Sequence, residues 1–179
     1  MPLITDPIEA RRLTAARRAE FEAMAEAIDF DETLTDDALD ALVDAIARPI
    51  IEAVDCKQCA NCCRSLDVCL IPSDVPRLAE GLHLPVEAVM TRYADQVGGE
   101  AQGEWAIVPA HPCPFLREKL CSIYDHRPHA CRLYPQLTPD FRYNMEDAIE
   151  GASTCPIIYN VLSELSSRIE PLEADEEDE

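Results

Sequence analysis

The stretch "CKQCANCC", residues 56 to 63, sets four thiols within eight positions. Cys56, Cys59 and Cys62 follow a CxxCxxC spacing. In that spacing a looping backbone points three sulfurs at one centre and turns its amides toward them. Cys63 comes directly after the third. Adjacent side chains diverge in an extended backbone, so the expectation is that Cys62 and Cys63 do not serve one small ion together. Cys63 would instead bridge to a second centre or meet later cysteines. Those are Cys113 in "HPCPFL", Cys121 in "CSIY", Cys131 in "HACRLYP" and Cys155 in "TCP", each at a tight turn or the end of a short element. Cys-Pro also closes the bacterial ferredoxin run, a hint toward iron-sulfur, whereas a zinc ribbon pairs two CxxC units. Eight candidates suffice for two four-sulfur centres, or for one centre and a redox pair.

Whether such thiols form disulfides depends on the compartment. The opening "MPLITDPIEARR" holds no apolar run for a signal-peptide core, and no stretch of about 20 apolar residues occurs. The expected location is therefore cytoplasmic, where thiols stay reduced and clustered cysteines are metal ligands or redox centres more often than disulfides. The odd total of nine cysteines fits the same view. A formal net charge of −20 repels phosphate backbones and anionic lipids, so neither nucleic acid nor a membrane is expected as a partner. The metal ion is the expected partner, and no protein partner can be named. The 179 residues are enough for one domain that buries a core.

Periodicity predicts an α-rich α+β fold, a small metal-stabilised cysteine-cluster domain with a short antiparallel hairpin and N-terminal helices. Leu13, Ala16, Phe21, Met24 and Ile28 recur at helical spacing, with Arg11, Arg12, Arg17 and Arg18 on the wet side. A second helix starts at Thr35 as N-cap and carries Leu39, Leu42, Val43, Ile46, Ile50 and Val54 down one stripe, with a kink or break expected at Pro49. Further on, "LDVCLIP" reads as a strand. The segment "SDVPRLAEGL" reads as a helix capped by Ser73 or Asp74 and stopping at Gly81, and "LPVEAVMTRYADQVGG" as a helix ending at Gly98-Gly99. Then come a strand in "EWAIVPA", a hairpin turning at Arg117 to Lys119, a short helix in "RPHACRLYP", an amphipathic helix in "PIIYNVLSELSSRIE" and a charged tail, "EADEEDE", expected to be disordered. The expected organisation is a helical extension over 1–55, a cysteine-cluster domain over 56–160, and a helix end plus tail over 161–179.

Charge supports a metal. Lys57 and Arg64 accompany the first cysteines without acids, and Arg117, Lys119, Arg127 and Arg132 outnumber Glu118 and Asp125 around the later ones. Four thiolates on a divalent ion leave about −2, which nearby guanidinium groups offset while favouring ionised thiols. His111, His126 and His129 flank the cysteines as ligands or, more in keeping with the cysteine count, as supporting groups. His83 reads as a turn residue. Arg127 and Arg132 are expected to anchor the short helix against carbonyls or thiolates, with Tyr124 and Tyr134 packed under the site. Cys69, alone in an apolar strand, reads as a core residue.

The succession "CKQCANCC", "IPSDVPRLAEGLHLPVEAVMTRY", "CPFLREKLCSIYDHRPHACRLYP" and "CP" resembles the YkgJ-type cysteine-cluster family, CxxCxxCC, whose members are held to chelate zinc or iron. The resemblance covers roughly residues 56 to 157. It implies that Cys56, Cys59, Cys62, Cys63, Cys113, Cys121, Cys131 and Cys155 bind the metal, as zinc, iron or an iron-sulfur cluster. Members often carry glycine where Ala60 stands. A related module occurs in flagellin lysine methylases, which implies a cluster-dependent redox or methyl-transfer enzyme as one alternative. A protein-interaction module with a structural metal is the other. No Ser/His/Asp order, GxSxG turn, HExxH helix or glycine-rich nucleotide turn is present, so no catalytic residue is assigned.

Overall fold

The computed structural model describes residues 2–93, 106–108 and 111–169. The predicted helix end at Gly98-Gly99 and the acidic tail lie outside the described residues. The architecture is the expected α-rich α+β, and it divides into two compact units. One comprises the residues up to Asp55 together with those from Pro135 onward; the other is Cys56–Tyr134.

The first unit is helical. α1 (Pro7–Phe30) begins at Asp6, whose carboxylate caps the amides of Ile8 and Glu9. It buries Phe21, Met24 and Ile28 as expected, but Ala16 is exposed and Arg17 is not on the wet side. Arg17 lies against α9 (Pro156–Ser166), donating to Ser163 Oγ at 2.6 Å and to Tyr159 OH at 3.3 Å, with its guanidinium over the Phe21 ring. Hydropathy patterns place arginine in water by default. Here a row of hydroxyls on α9 makes the interior acceptable, while Glu20 completes the pairing.

α2 (Asp36–Ala53) runs through Pro49 without being split there. Proline removes one bond, to the Ala45 carbonyl. Both residues are on the exposed face, so water can satisfy that oxygen while Val43, Ile46, Ala47 and Ile50 hold the opposite face in the core. After a short 3-10 turn at Phe141–Asn144 comes α8 (Met145–Ala152), which periodicity did not disclose. Arg142 in that turn pairs with Asp36 at 2.7 Å and donates to the carbonyls of Ile28 and Leu34. α9 packs against α1, α2 and α8. It is buried almost all round rather than amphipathic, with Ile157, Val161, Leu162 and Leu165 at its centre. Asn160 fastens the chain start to it through Ile4, accepting at 3.0 Å and donating at 2.7 Å.

The second unit is made of short pieces. α3 (Cys56–Cys59) and α4 (Cys62–Ser65) are single turns, followed by β1 (Val68–Leu70), α5 (Asp74–Leu82) and α6 (Val86–Tyr93). β2 (Ala106–Val108) pairs antiparallel with β1, Cys69 opposite Ile107. β3 (Leu116–Arg117) and β4 (Leu120–Cys121) form the expected hairpin, turning through Glu118 at φ 57°. A 3-10 turn at Tyr124–His126 leads to α7 (His129–Leu133), which packs on β1. α5 does not stop at Gly81. It runs to Leu82 and is closed by His83 in the left-handed conformation. Gly81 lies inside the helix, at a place where a Cβ would come within 2.7 Å of His126 Cβ, so only glycine fits without a shift. These elements share a core of Val68, Leu70, Val75, Leu78, Val89, Phe115 and Ile123.

Replacing Pro49 by alanine restores a helix bond at an exposed position and removes a residue about 3 kcal/mol less favourable than alanine in a helix interior. Thermal melts of Pro49→Ala are expected to show a gain of about 1–3 kcal/mol.

Candidate metal centre

Cys56 and Cys59 occupy the two ends of α3, Cys56 exposed and Cys59 partly buried. The turn closes through the Ala60 amide donating to the Cys56 carbonyl at 3.0 Å. Ala60 itself is buried and left-handed at φ 52°, the conformation glycine adopts most readily after a helix. The chain then turns at once into α4. There Cys62 and Cys63 are helical, not extended, and their sulfurs are 4.0 Å apart. Two thiolates on one tetrahedral zinc, each at about 2.3 Å, stand about 3.8 Å apart. The adjacent pair thus matches an edge of one site, contrary to the divergence expected of an extended backbone.

The later thiols gather around the same neighbourhood. The Cys113 amide donates to the Cys63 carbonyl at 2.8 Å. Cys113 is buried in the apolar cluster of this unit, and Cys63, Cys121 and Cys131 pack against that cluster. Electrostatics shows the same association. Burial pushes the Cys131 thiol up to about 12, and the charges of Cys113, Cys63 and Cys121 push the same way. Cys113 and Cys121 are raised too, first by burial and then in part by Cys63. Cys63 is lowered to about 6, chiefly by its hydrogen bond with Cys62, with Arg64 and Arg127 helping against burial. Amides of Phe115 and Leu116 at Cys113, and of Ile123 at Cys121, favour the thiolate form. Such amide-to-sulfur bonds suit ligated thiolates.

Among the described residues, no three His, Cys, Asp or Glu side chains already converge as a ligating group. The donor chemistry does fit a thiophilic cation. Four mutually repelling sulfurs share one cluster, amides are aimed at two of them, and arginines lie near. Cys155 belongs to the other unit, buried at the N-terminus of α9.

The flanking residues have defined partners. Arg64 donates to the carbonyls of Cys59 at 2.9 Å and Glu118 at 2.8 Å, tying the cysteine loop to the β3–β4 turn. Arg127 donates to the Tyr124 carbonyl and stacks 3.6 Å over its ring, with Lys57 5.2 Å from the same ring. Arg132 donates to the Arg127 carbonyl at 2.7 Å, so both arginines anchor carbonyls as expected. His111 pairs with Asp67 at 2.8 Å, His126 packs on Gly81, and His129 Nδ1 is 3.4 Å from Arg132. The spacing gave no notice of Asp74. Its carboxylate is 1% exposed and accepts from the amides of Ile71 and His129. The only trace in the sequence was its place beside Ser73, where it read as a cap. Ser73 takes the N-cap position without a side-chain bond.

The unit Cys56–Tyr134 is thus made of short elements and crowded with cysteines. Residues 55–156 match the CxxCxxCC family, described as "Putative zinc- or iron-chelating domain". The chain belongs to that family. No curated protein and no solved structure matches it.

Because Ala60 is left-handed and buried, Ala60→Gly should change stability by less than about 1 kcal/mol, whereas the β-branched Ala60→Val should cost about 2 kcal/mol or more. Thermal melts of the two variants against the wild type check this.

Proposed function

We propose that the chain chelates zinc or iron at a thiolate centre built on Cys63, Cys113, Cys121 and Cys131, with Cys62 beside it and Cys56 and Cys59 on the adjoining turn. One observation carries the reading: cysteines from four separate segments belong to or pack against one apolar cluster, close enough to feel one another's charge. A bound zinc or iron supplies the positive charge that lets these thiols ionise together. The chain's own residues do the rest. The amides of Phe115, Leu116 and Ile123 face the sulfurs, Arg64 and Arg127 offset negative charge, and burial keeps water from competing. The 4.0 Å Cys62–Cys63 pair suits two sulfurs on one tetrahedral ion and argues against a 4Fe–4S cluster, in which each iron takes a single cysteine. A cytoplasmic setting, which keeps thiols reduced, suits the assignment. Cys155 lies within the family match but in the other unit, and its part is set by substitution.

Anaerobic purification, elemental analysis and an absorption spectrum test this. The expected result is stoichiometric zinc or iron without acid-labile sulfide. Broad absorbance on the order of 400 nm with labile sulfide would replace the mononuclear ion by a cluster. Cys113→Ser and Cys131→Ser should each weaken metal binding at least about 100-fold, while exposed Cys56→Ser loses less. Loss of metal in Cys155→Ser adds that residue to the set; full retention removes it.

Proton release gives a second measurement. Near neutral pH Cys63 is already largely ionised, whereas Cys113, Cys121 and Cys131 carry protons that a metal must expel. Apparent affinity therefore rises with pH, about three protons leave per metal, and the dependence steepens below about pH 6 as Cys63 protonates. Calorimetry in buffers of differing ionisation enthalpy reads that number.

A further inference from the structure

Asp74 is a carboxylate withdrawn from water, 1% exposed. Moving such a charge inside is costly unless its oxygens are satisfied. Oδ2 accepts from the Ile71 amide at 3.1 Å and Oδ1 from the His129 amide at 2.8 Å. These amides belong to segments far apart in the chain. Ile71 follows the last residue of β1, and His129 is the first residue of α7. The opening amides of a helix have no partner within it, and α7 is only five residues long, so it cannot hold its own start in place. Its N-cap, Pro128, makes no side-chain bond. Asp74 supplies the missing acceptor from another element. Cys131 follows two residues after His129, on the helix that packs against β1.

We infer that Asp74 is the positioning residue for Cys131: by bonding the first amide of α7 to the turn after β1, it sets where the Cys131 sulfur enters the thiol cluster. Both oxygens are engaged by main-chain donors, so the carboxylate acts through α7. The inference rests on the chelation reading and adds a residue that the cysteine pattern does not contain.

The test is a double-mutant cycle on the full chain with Co²⁺ as probe. It compares wild type, Asp74→Ala, Asp74→Asn, Cys131→Ala and the Asp74 variants in the Cys131→Ala background. Asp74→Ala should weaken cobalt affinity about 10- to 100-fold, as loss of an outer partner does, and reduce the thiolate-to-cobalt charge-transfer band. Asp74→Asn keeps one carbonyl acceptor and should recover part of both. In the Cys131→Ala background, Asp74 substitution should change cobalt affinity by less than about twofold while still lowering the melting temperature, because the sulfur it places is gone. Equal losses in both backgrounds, or a lower melting temperature with unchanged affinity, would overturn the inference and leave Asp74 a purely stabilising group. If Asp74→Ala does not fold, the Asp74→Asn arm decides by the same criteria. A folded wild type that takes up no cobalt, zinc or iron overturns the chelation reading and this inference with it.

Discussion

Thiolates crowded on one apolar surface repel one another, and burial removes the water that would screen them. The unit Cys56–Tyr134 is built under that constraint. Without a cation its sulfurs separate into unlike states: Cys63, favoured by Cys62 and two arginines, ionises early, while burial pushes Cys131 up to about 12. In the proposed chelate a bound cation outweighs the sulfur-sulfur repulsion, because each thiolate's attraction to the ion exceeds its repulsion from its neighbours. The elements that carry the sulfurs are too short to stand alone. α3 and α4 are single turns, β3 and β4 have two residues each, and α7 has five. Isolated helices and hairpins of that size are marginal in water. In the proposed chelate, metal-binding free energy doubles as folding free energy for these pieces.

Main-chain hydrogen bonds carry much of the remaining load. Arg64 spans the carbonyls of Cys59 and Glu118, Arg77 reaches Asp125, and Arg127 and Arg132 hold the carbonyls of Tyr124 and Arg127. Asp74 does the converse by collecting amides. Turns of so few residues leave many backbone groups without helix or sheet partners, and long polar side chains satisfy them. The bends occur at Ala60, His83 and Glu118, all non-glycine residues with positive φ. The local backbone thus depends on tertiary support at these bends, two of which, Ala60 and Glu118, fall between cysteines.

Much of the fold was legible because its signals are local. Thr35 as a cap, the Leu39 to Ile50 stripe, the β1 and hairpin segments and the proline-bounded α7 all appear where spacing placed them. The misreadings come from groups whose partners are distant in sequence. Arg17 reads as solvated until the hydroxyls of α9 are beside it, and α9 reads as amphipathic until three helices surround it. Gly81 reads as a stop, yet it is the space into which His126 packs. Of the site, the thiols were visible. The closeness of Cys62 to Cys63 required knowing that α4 is helical, and Asp74 required knowing that His129 lies above it.

Charge is divided unevenly along the chain, and magnitudes decide what that does. Residues 56–134 hold eight lysines and arginines against nine acids, so nearly all of the net −20 belongs to the remainder. A strongly acidic protein enriches cations around itself, but at physiological ionic strength that field decays over about 8 Å. It speeds encounter with a metal and does little to hold it. In the proposed chelate, retention is decided within a few ångströms of the sulfurs, where Arg127 helps ionise Cys63 and works against the larger effect of burial at Cys121 and Cys131. On that proposal the acid majority and the basic minority act on different steps, the first on arrival of the cation and the second on the ionisation of the thiols that would keep it.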